Sequence, residues 1–228
     1  MTDHQQEQIK IIDDIERHML DQAFQISTVT PVENFLVDTR LFLSGLHFPN
    51  PELYAQITPI IESLRDVFPE AHYYTAETIH FTIKNVKVIN DPPHFTADDV
   101  DKARRAFADV IPHHRKFHIY FYRLLLFPNS VALMGTTDPE LDEIIFDLDT
   151  ALNSVGVPDD KMYANSRYFF CNCTLARFDG VSTQRFIEKV RKLSQTLLFQ
   201  PYKVDTVTLA SGNAVLNCLQ KYDTWKLR

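Results

Sequence analysis

Residues 77–86, ETIHFTIKNV, carry the triplet His80-Phe81-Thr82 among apolar residues, and this pattern is the main sequence indication of the fold. A second stretch, YFFCNCTLARF at residues 168–178, carries Asn172-Cys173-Thr174. Successive side chains of an extended strand alternate faces, so the first and third residues of each triplet point the same way. Polar side chains within buried strands need partners or a purpose. The sequence therefore predicts two strands that present pairs of polar groups to one cleft.

This pairing resembles the two-histidine phosphoesterases, which include 2'-5' RNA ligase-like proteins and 2',3'-cyclic nucleotide phosphodiesterases and carry two His-x-Thr or His-x-Ser triplets. The similarity covers residues 33–228 and includes VDTRLFLSGLHFPNPEL (37–53), LLLFPNSVALMGTTDPELDEI (124–144) and the TLARF tail of the second triplet. The resemblance implies an α+β fold with two pseudo-symmetric lobes, whose antiparallel sheets surround a central cleft and whose helices lie outside. It also implies a nucleotide or RNA-end phosphodiester as ligand.

The second triplet departs from this family because asparagine stands where the second histidine is expected. All nine histidines lie within the first 118 residues, so the second half of the chain has none to offer. Opening a cyclic phosphodiester uses one imidazole to deprotonate the attacking water and another to protonate the leaving oxygen, and an amide does neither. Each proton transfer typically contributes about 10²- to 10⁴-fold, so its loss slows the chemical step while leaving binding intact.

The predicted site combines one catalytic group with several phosphate-binding groups. His80 is the catalytic candidate, and the phosphate-binding candidates are Thr82, Asn172, Thr174 and Lys84. Hydroxyls, amides and ammonium groups all donate hydrogen bonds to phosphate oxygens. Lys84 is included because it shares strand parity with His80 and Thr82. Lys87 and Arg177 lie nearby in sequence, but solvated charges at strand ends explain them equally well.

Three functions remain open from the sequence. The first is a degenerate phosphoesterase that binds a nucleotide, cyclic phosphate or RNA end with weak or no turnover. The second is an active cyclic phosphodiesterase or RNA phosphoesterase in which His80 acts with water or a residue outside the motifs, such as Tyr168, His114 or His118. The third is a non-enzymatic interaction scaffold. We favour the first because the missing imidazole is a chemical deficit.

A third triplet, His94-Phe95-Thr96, has a structural explanation. It follows the turn sequence NDPP and precedes the helical pattern ADDVDKARRAFADVI. Thr96 stands at the N-cap, and Asp99 takes the capping-box position usually held by Glu or Gln. This triplet therefore predicts the start of a helix.

The cysteines predict neither a disulfide framework nor a metal site. There are three, at positions 171, 173 and 218, without a second close pair or a histidine nearby in sequence. Cys173 faces away from Asn172 and Thr174 by alternation, which favours packing over nucleophilic chemistry. We expect no metal and no cofactor, since the chain also lacks a Gly-rich phosphate loop and an HExxH motif.

Composition indicates a globular protein and excludes several classes of partner. A chain of 228 residues with 45% hydrophobic content can bury a substantial core. Its net charge of -7 argues against binding long duplex nucleic acid through counterion release. It has neither an apolar run of about 18 residues nor the features of a signal peptide. These properties predict a cytoplasmic protein without a membrane partner, which we expect to be a monomer.

Hydrophobic spacing predicts an N-terminal helical extension at residues 1–30, and the resemblance implies one phosphoesterase-like domain at 31–228. A helix is expected at 5–25, and further helices at 51–68, 97–111, 139–152 and 181–198. Strands are expected at 32–46, 116–127, 131–136, 167–178, 202–210 and 214–225, and a strand or hairpin at 73–89.

Overall fold

The computed structural model describes residues 1–21, 29–180 and 183–228. The α-helices within these ranges are α1 (Asp3–His18), α2 (Pro51–Arg65), α3 (Ala97–Val110), α4 (Glu140–Ser154) and α5 (Gln184–Ser194). The strands are β1 (Leu41–His47), β2 (His72–Tyr73), β3 (Phe81–Asn90), β4 (Phe117–Phe127), β5 (Ser130–Thr137), β6 (Cys171–Arg177), β7 (Tyr202–Val204), β8 (Thr206–Gly212) and β9 (Gln220–Lys226). None of the helices in these described ranges combines the length and the apolar character that crossing a membrane requires.

The strands form two antiparallel sheets that share one hydrophobic core. The four-stranded sheet has the order β3-β1-β8-β9, and the five-stranded sheet has the order β2-β6-β5-β4-β7. A continuous apolar cluster packs beneath both sheets, and helices α2 to α5 contribute their buried faces to it. This arrangement confirms the predicted α+β architecture of two lobes with antiparallel sheets.

Four predictions for strands were wrong in their extent, and the strand expected at 214–225 begins only at Gln220. The strand expected at 32–46 begins only at Leu41, because Asn34 caps a short 3-10 helix (Phe35–Val37). The segment 73–89 is divided between β2 and β3, which belong to different sheets, and β2 pairs with β6. Likewise, 202–210 is divided into β7 and β8, because the chain crosses from one sheet to the other at Asp205.

The third triplet begins a helix, as predicted. The Asp99 N–H donates to the Thr96 hydroxyl at 3.3 Å, and the Asp99 carboxylate accepts from the Thr96 N–H at 2.8 Å. These two hydrogen bonds complete a capping box in which the shorter aspartate replaces glutamate. His94, by contrast, is exposed and pairs with Asp160.

The N-terminal helix covers one face of the five-stranded sheet. The helix predicted at 5–25 is observed as α1 up to His18, and residues 22–25 lie outside the described residues. Ile12 and Ile15 of α1 pack against a small cluster that includes Ala132 and Met134 of β5. Val131 and Leu133 alternate with these residues and face the main core. The sheet therefore has apolar contacts on both faces, one with the core and one with α1.

Three buried hydrogen bonds of Gln8 hold α1 in place, and one of them goes from its amide to the Phe169 carbonyl oxygen. The Gln8 side chain accepts from the Thr137 backbone N–H and donates to the Thr137 hydroxyl, both at 2.8 Å. Gln8 is completely buried, so losing these bonds would leave a buried amide without partners.

Candidate functional site

The two triplets line the same cavity, which has a volume of about 460 Å³. Ile15 and Met19, from α1 and its C-terminal end, close part of its wall, and Ala132 and Met134 form its floor. Further walls come from β1, β3, β6 and the segment 161–165. This volume falls within the usual range for small-molecule sites.

Alternation within each triplet directs the polar groups into this cavity. The middle residues, Phe81 and Cys173, are fully buried in the core. The outer residues line the cavity: His80, Thr82, Asn172 and Thr174. Strands β3 and β6, which carry the triplets, also lie in contact with each other. Two strands from different sheets thus present four polar side chains to one space.

His80 lies just before β3 and is oriented by its backbone neighbour. Its Nδ1–H donates to the Thr78 carbonyl oxygen at 2.7 Å, so the neutral ring keeps the lone pair on Nε2. Burial lowers the pKa of His80 to about 4; the Thr78 hydrogen bond opposes this shift, and the Arg177 charge adds to it. At neutral pH the imidazole is therefore uncharged and able to accept a proton.

The other triplet groups keep their hydrogen-bonding capacity free. Within the described residues, the side chains of Thr82, Asn172 and Thr174 have no hydrogen-bond partner among protein groups. Asn172 adjoins Met134 of the neighbouring strand, also on the cavity wall. Two hydroxyls and one amide are thus available to a ligand or to water.

Lys84 does not belong to this site, which corrects its prediction as a phosphate-binding residue. Leu46 pairs with Thr82 whereas the adjacent Gly45 pairs with Lys84, so the strand has a bulge at Ile83. A bulge reverses the alternation beyond it, and Asn85 takes the cavity-facing place instead.

The Lys84 ammonium is buried and neutralised. It forms ion pairs with Asp159 and Asp149, the latter at 2.6 Å, and donates to the Tyr163 hydroxyl at 3.1 Å. Its side chain is completely inaccessible to solvent. Lys84 therefore joins β3 to α4 and to the segment that follows α4.

Two other cations line the cavity in its place. Arg177 donates from Nε to the Tyr74 hydroxyl at 2.9 Å and to the Ala214 carbonyl at 3.3 Å. Lys161 lies above the Tyr163 ring, 5.3 Å from its centroid. In the part of the chain that the structure describes, neither cation forms an ion pair with a carboxylate.

The cavity is electropositive although the protein is acidic. No aspartate or glutamate within the described ranges lines it, whereas Arg177 and Lys161 both do. The chain as a whole carries a net charge of -7. Low-dielectric walls focus the field of such charges, so the cavity favours anions.

Sequence patterns missed Lys161 because it lies on an irregular segment. The segment is pinned to the edge strand β3, since the Val88 N–H donates to Asp160 at 2.7 Å and the Lys87 ammonium donates to the Pro158 carbonyl at 2.6 Å. The only sequence signal was the charged and aromatic cluster PDDKMY at 158–163. Strand periodicity gives no information on such a segment.

No second imidazole of the described chain reaches the cavity. All nine histidines are among the described residues, and His80 is the one that lines it. His114 is buried with Glu140 at 3.0 Å and Asp147 at 3.2 Å, and His118 pairs with Asp138 at 3.1 Å. Neither His114 nor His118 is therefore placed to act with His80 in the cavity. Tyr168 does line the cavity.

Cys173 of the second triplet is a packing residue, as predicted, and so is Cys171 just before the triplet. Cys171 and Cys173 are free thiols with no exposed surface. Burial raises the pKa of Cys171 to about 12 and raises that of Cys173 as well. Both thiols stay protonated and unreactive at neutral pH.

One cluster outside the cavity has the chemistry of metal ligands. His114, Glu140 and Glu143 place ligand atoms within 4.8 Å of one another. However, the Arg115 guanidinium donates to Glu140 at 3.1 Å, and the Arg115 backbone N–H donates to it at 2.8 Å. These hydrogen bonds occupy the carboxylate, so the cluster is better explained as an ion-pair network.

Comparison with solved structures shows which known proteins share the fold of these two sheets. The sequence matches no protein-family model and no curated protein. E. coli LigT in complex with 3'-AMP is similar in structure, with a TM-score of 0.51 and 16% identity over 82% of this chain and 97% of LigT. TT0787 of Thermus thermophilus gives a TM-score of 0.57 and 13% identity over 83% of this chain and 98% of its own.

A third similar structure is the conserved protein of unknown function ATU0111 from Agrobacterium tumefaciens str. C58. It gives a TM-score of 0.54 and 11% identity over 80% of this chain and 84% of its own. The chain therefore shares the fold of LigT over most of its length, which confirms the predicted fold and agrees with the resemblance.

Proposed function

We propose that this chain binds a phosphate ester, belonging to a nucleotide or an RNA end, in the cavity between its two sheets, with weak or no turnover. The observation that carries the proposal is the charge of the cavity. Both triplets line it together with two cations, and among the described residues no carboxylate does. Buried anions need such partners, because their desolvation is costly without them.

The polar groups of the triplets can donate hydrogen bonds to the oxygens of a phosphate group. Thr82, Thr174 and Asn172 supply three donors, and Arg177 lies on the same wall. Hydrogen bonds to charged oxygens are shorter and stronger than neutral ones. Crystal structures of LigT contain ATP and 3'-AMP, so in that protein the same fold holds nucleotides.

Weak turnover follows from the single imidazole. His80 is neutral and keeps its Nε2 lone pair, but its low pKa makes it a weak base, which slows this proton transfer as well. The Asn172 amide, on the opposite strand, has no proton to give to a leaving oxygen at useful rates. One of two proton transfers is thus left to water, at a typical cost of about 10²- to 10⁴-fold in rate.

Active hydrolysis is the second candidate function, and the orientation of His80 favours it. A neutral imidazole fixed by the Thr78 carbonyl has the arrangement of a general base. Tyr168 lines the same cavity and carries a hydroxyl that could donate a proton to a leaving group. This enzyme would use His80 with a partner outside the motifs.

Calorimetry and product analysis distinguish these functions. Adenosine 2',3'-cyclic phosphate and a short RNA with a cyclic phosphate end are titrated into the wild type, His80→Ala and Thr174→Val, and hydrolysis is followed by chromatography. We expect binding with little hydrolysis, and binding that is weaker by about threefold to tenfold in Thr174→Val, the value of one hydrogen bond. His113→Ala is the matched control, since His113 is an exposed histidine outside the cavity.

Two results would overturn the proposal. Rapid hydrolysis that His80→Ala abolishes and His113→Ala preserves would establish the active enzyme instead. Failure of every phosphate ester to bind a folded wild-type protein would remove the binding function and leave the scaffold hypothesis.

A further inference from the structure

The segment that carries Lys161 is held in one position beside the cavity. Asp159 is bound by the buried Lys84, and Asp160 accepts from the Val88 N–H. The Asp159 carboxylate also accepts from the Lys161 backbone N–H at 2.7 Å, which forms a tight local turn. The backbone on either side of Lys161 is therefore fixed, and Lys161 itself lines the cavity.

The acidic neighbours of Lys161 are already engaged. Asp159 pairs with Lys84 and accepts from the Tyr163 hydroxyl at 2.5 Å, and Asp149 also pairs with Lys84. Burial lowers the pKa of Lys161 to about 8; Asp159 opposes the shift and Lys84 adds to it. A partly buried ammonium without an ion-pair partner in the described chain is thus available to a ligand.

Two positive charges face the cavity. Arg177 and Lys161 are positive at neutral pH, His80 is neutral, and no carboxylate within the described ranges lines the cavity, although Asp159 acts on Lys161 from behind its wall. A cyclic phosphodiester carries one negative charge. A terminal phosphomonoester carries about two above its second pKa of about 6. The doubly charged ester is the better match for two cations.

We propose that the ligand of this cavity is a terminal phosphomonoester of a nucleoside or RNA end, with Lys161 and Arg177 sharing its two charges, in preference to a cyclic phosphodiester. This inference rests on the proposed function and specifies its ligand. It also fits the loss of the second imidazole, because binding a monoester requires no proton transfer to a leaving group. Lys161 is then the residue that selects for the second negative charge.

Calorimetry with adenosine 3'-monophosphate and adenosine 2',3'-cyclic phosphate at pH 7 tests the selection. The wild type should bind the monoester about tenfold more tightly, the effect of one additional charge-assisted contact. Lys161→Met should weaken monoester binding about tenfold and cyclic ester binding by less than about threefold. Lys192→Met is the matched control, because Lys192 is on α5, outside the cavity, and should change neither affinity.

The pH dependence gives a second test. Preference for the monoester should rise as its phosphate loses the second proton near pH 6 and should fall again as Lys161 deprotonates above pH 8. Lys161→Arg should keep the preference beyond about pH 9, since a guanidinium does not deprotonate there. Circular dichroism would verify that each variant is folded.

The outcomes separate the inference from the proposed function. If the cyclic ester binds as tightly as the monoester, or if Lys161→Met weakens both equally, the inference fails while phosphate-ester binding stands. If neither ester binds the folded wild type, the proposed function fails as well.

Discussion

Replacing Lys84 tests whether this residue is a structural anchor or a ligand contact. In Lys84→Met the carboxylate of Asp159, only 8% exposed, would lose its cation, while Asp149, 35% exposed, would remain partly solvated. Leaving one buried charge unpaired typically costs about 3–5 kcal/mol. We therefore expect the free energy of unfolding to fall by about 3–5 kcal/mol, a large share of the roughly 5–15 kcal/mol of a typical domain.

Urea unfolding measures this loss, with the fluorescence of Trp225 as the signal. Trp225 is the sole tryptophan and packs against Phe107, so its emission reports on the integrity of the core. Lys87→Met is the matched control on the same strand; it removes one exposed hydrogen bond and should cost less than about 1 kcal/mol.

The double variant Lys84→Met/Asp159→Leu isolates the unpaired charge as the cause. Removing both charges should restore more than half of the lost stability, because an apolar pair replaces the buried ions. Equal costs for Lys84→Met and Lys87→Met would refute the reasoning and leave Lys84 available as a ligand contact.

Three further predictions concern the site and its surroundings. Asn172→His should raise cyclic phosphodiesterase activity on adenosine 2',3'-cyclic phosphate by about 10²-fold or more, because it adds the second proton-transfer group. Unchanged activity in a folded variant would count against the two triplets acting on one ligand. The low pKa of His80 stabilises the fold above about pH 6.5, and this stabilisation should be lost at about 1 kcal/mol per pH unit as pH falls toward 4. The free energy of unfolding in urea should therefore depend less steeply on pH for His80→Gln than for the wild type. An identical pH dependence would contradict the assignment. Thr96→Ala should lower the free energy of unfolding by about 1 kcal/mol, because it removes the N-cap of α3. Ester binding measured by calorimetry should stay at the wild-type value. A weaker affinity would place this third triplet nearer the site than the structure does.

Local patterns predicted the triplets and their faces correctly. Phe81 and Cys173 are buried while the residues on either side of them line the cavity, as strict alternation requires. The capping box at Thr96 was also predictable, because it depends on residues three positions apart. Periodicity is reliable where the determining contacts are close in sequence.

Contacts between distant segments explain the failures. Lys84 was misplaced because the bulge at Ile83 depends on pairing with β1, which no local pattern encodes. Lys161 was missed because its position depends on ion pairs between its segment and β3. The roles of the site residues stay predictions, since chemistry at the cavity awaits the experiments above.

The two strands that face each other across the cavity belong to different sheets, and this has a consequence for how the protein adapts to its ligand. Within a sheet, hydrogen-bonded neighbours lie about 4.8 Å apart, and that spacing hardly varies. No backbone ladder joins β3 to β6 in the described chain, so only side-chain packing sets their separation. Substitutions deep in the shared interior should therefore change the width of the gap between these strands without touching the bound molecule.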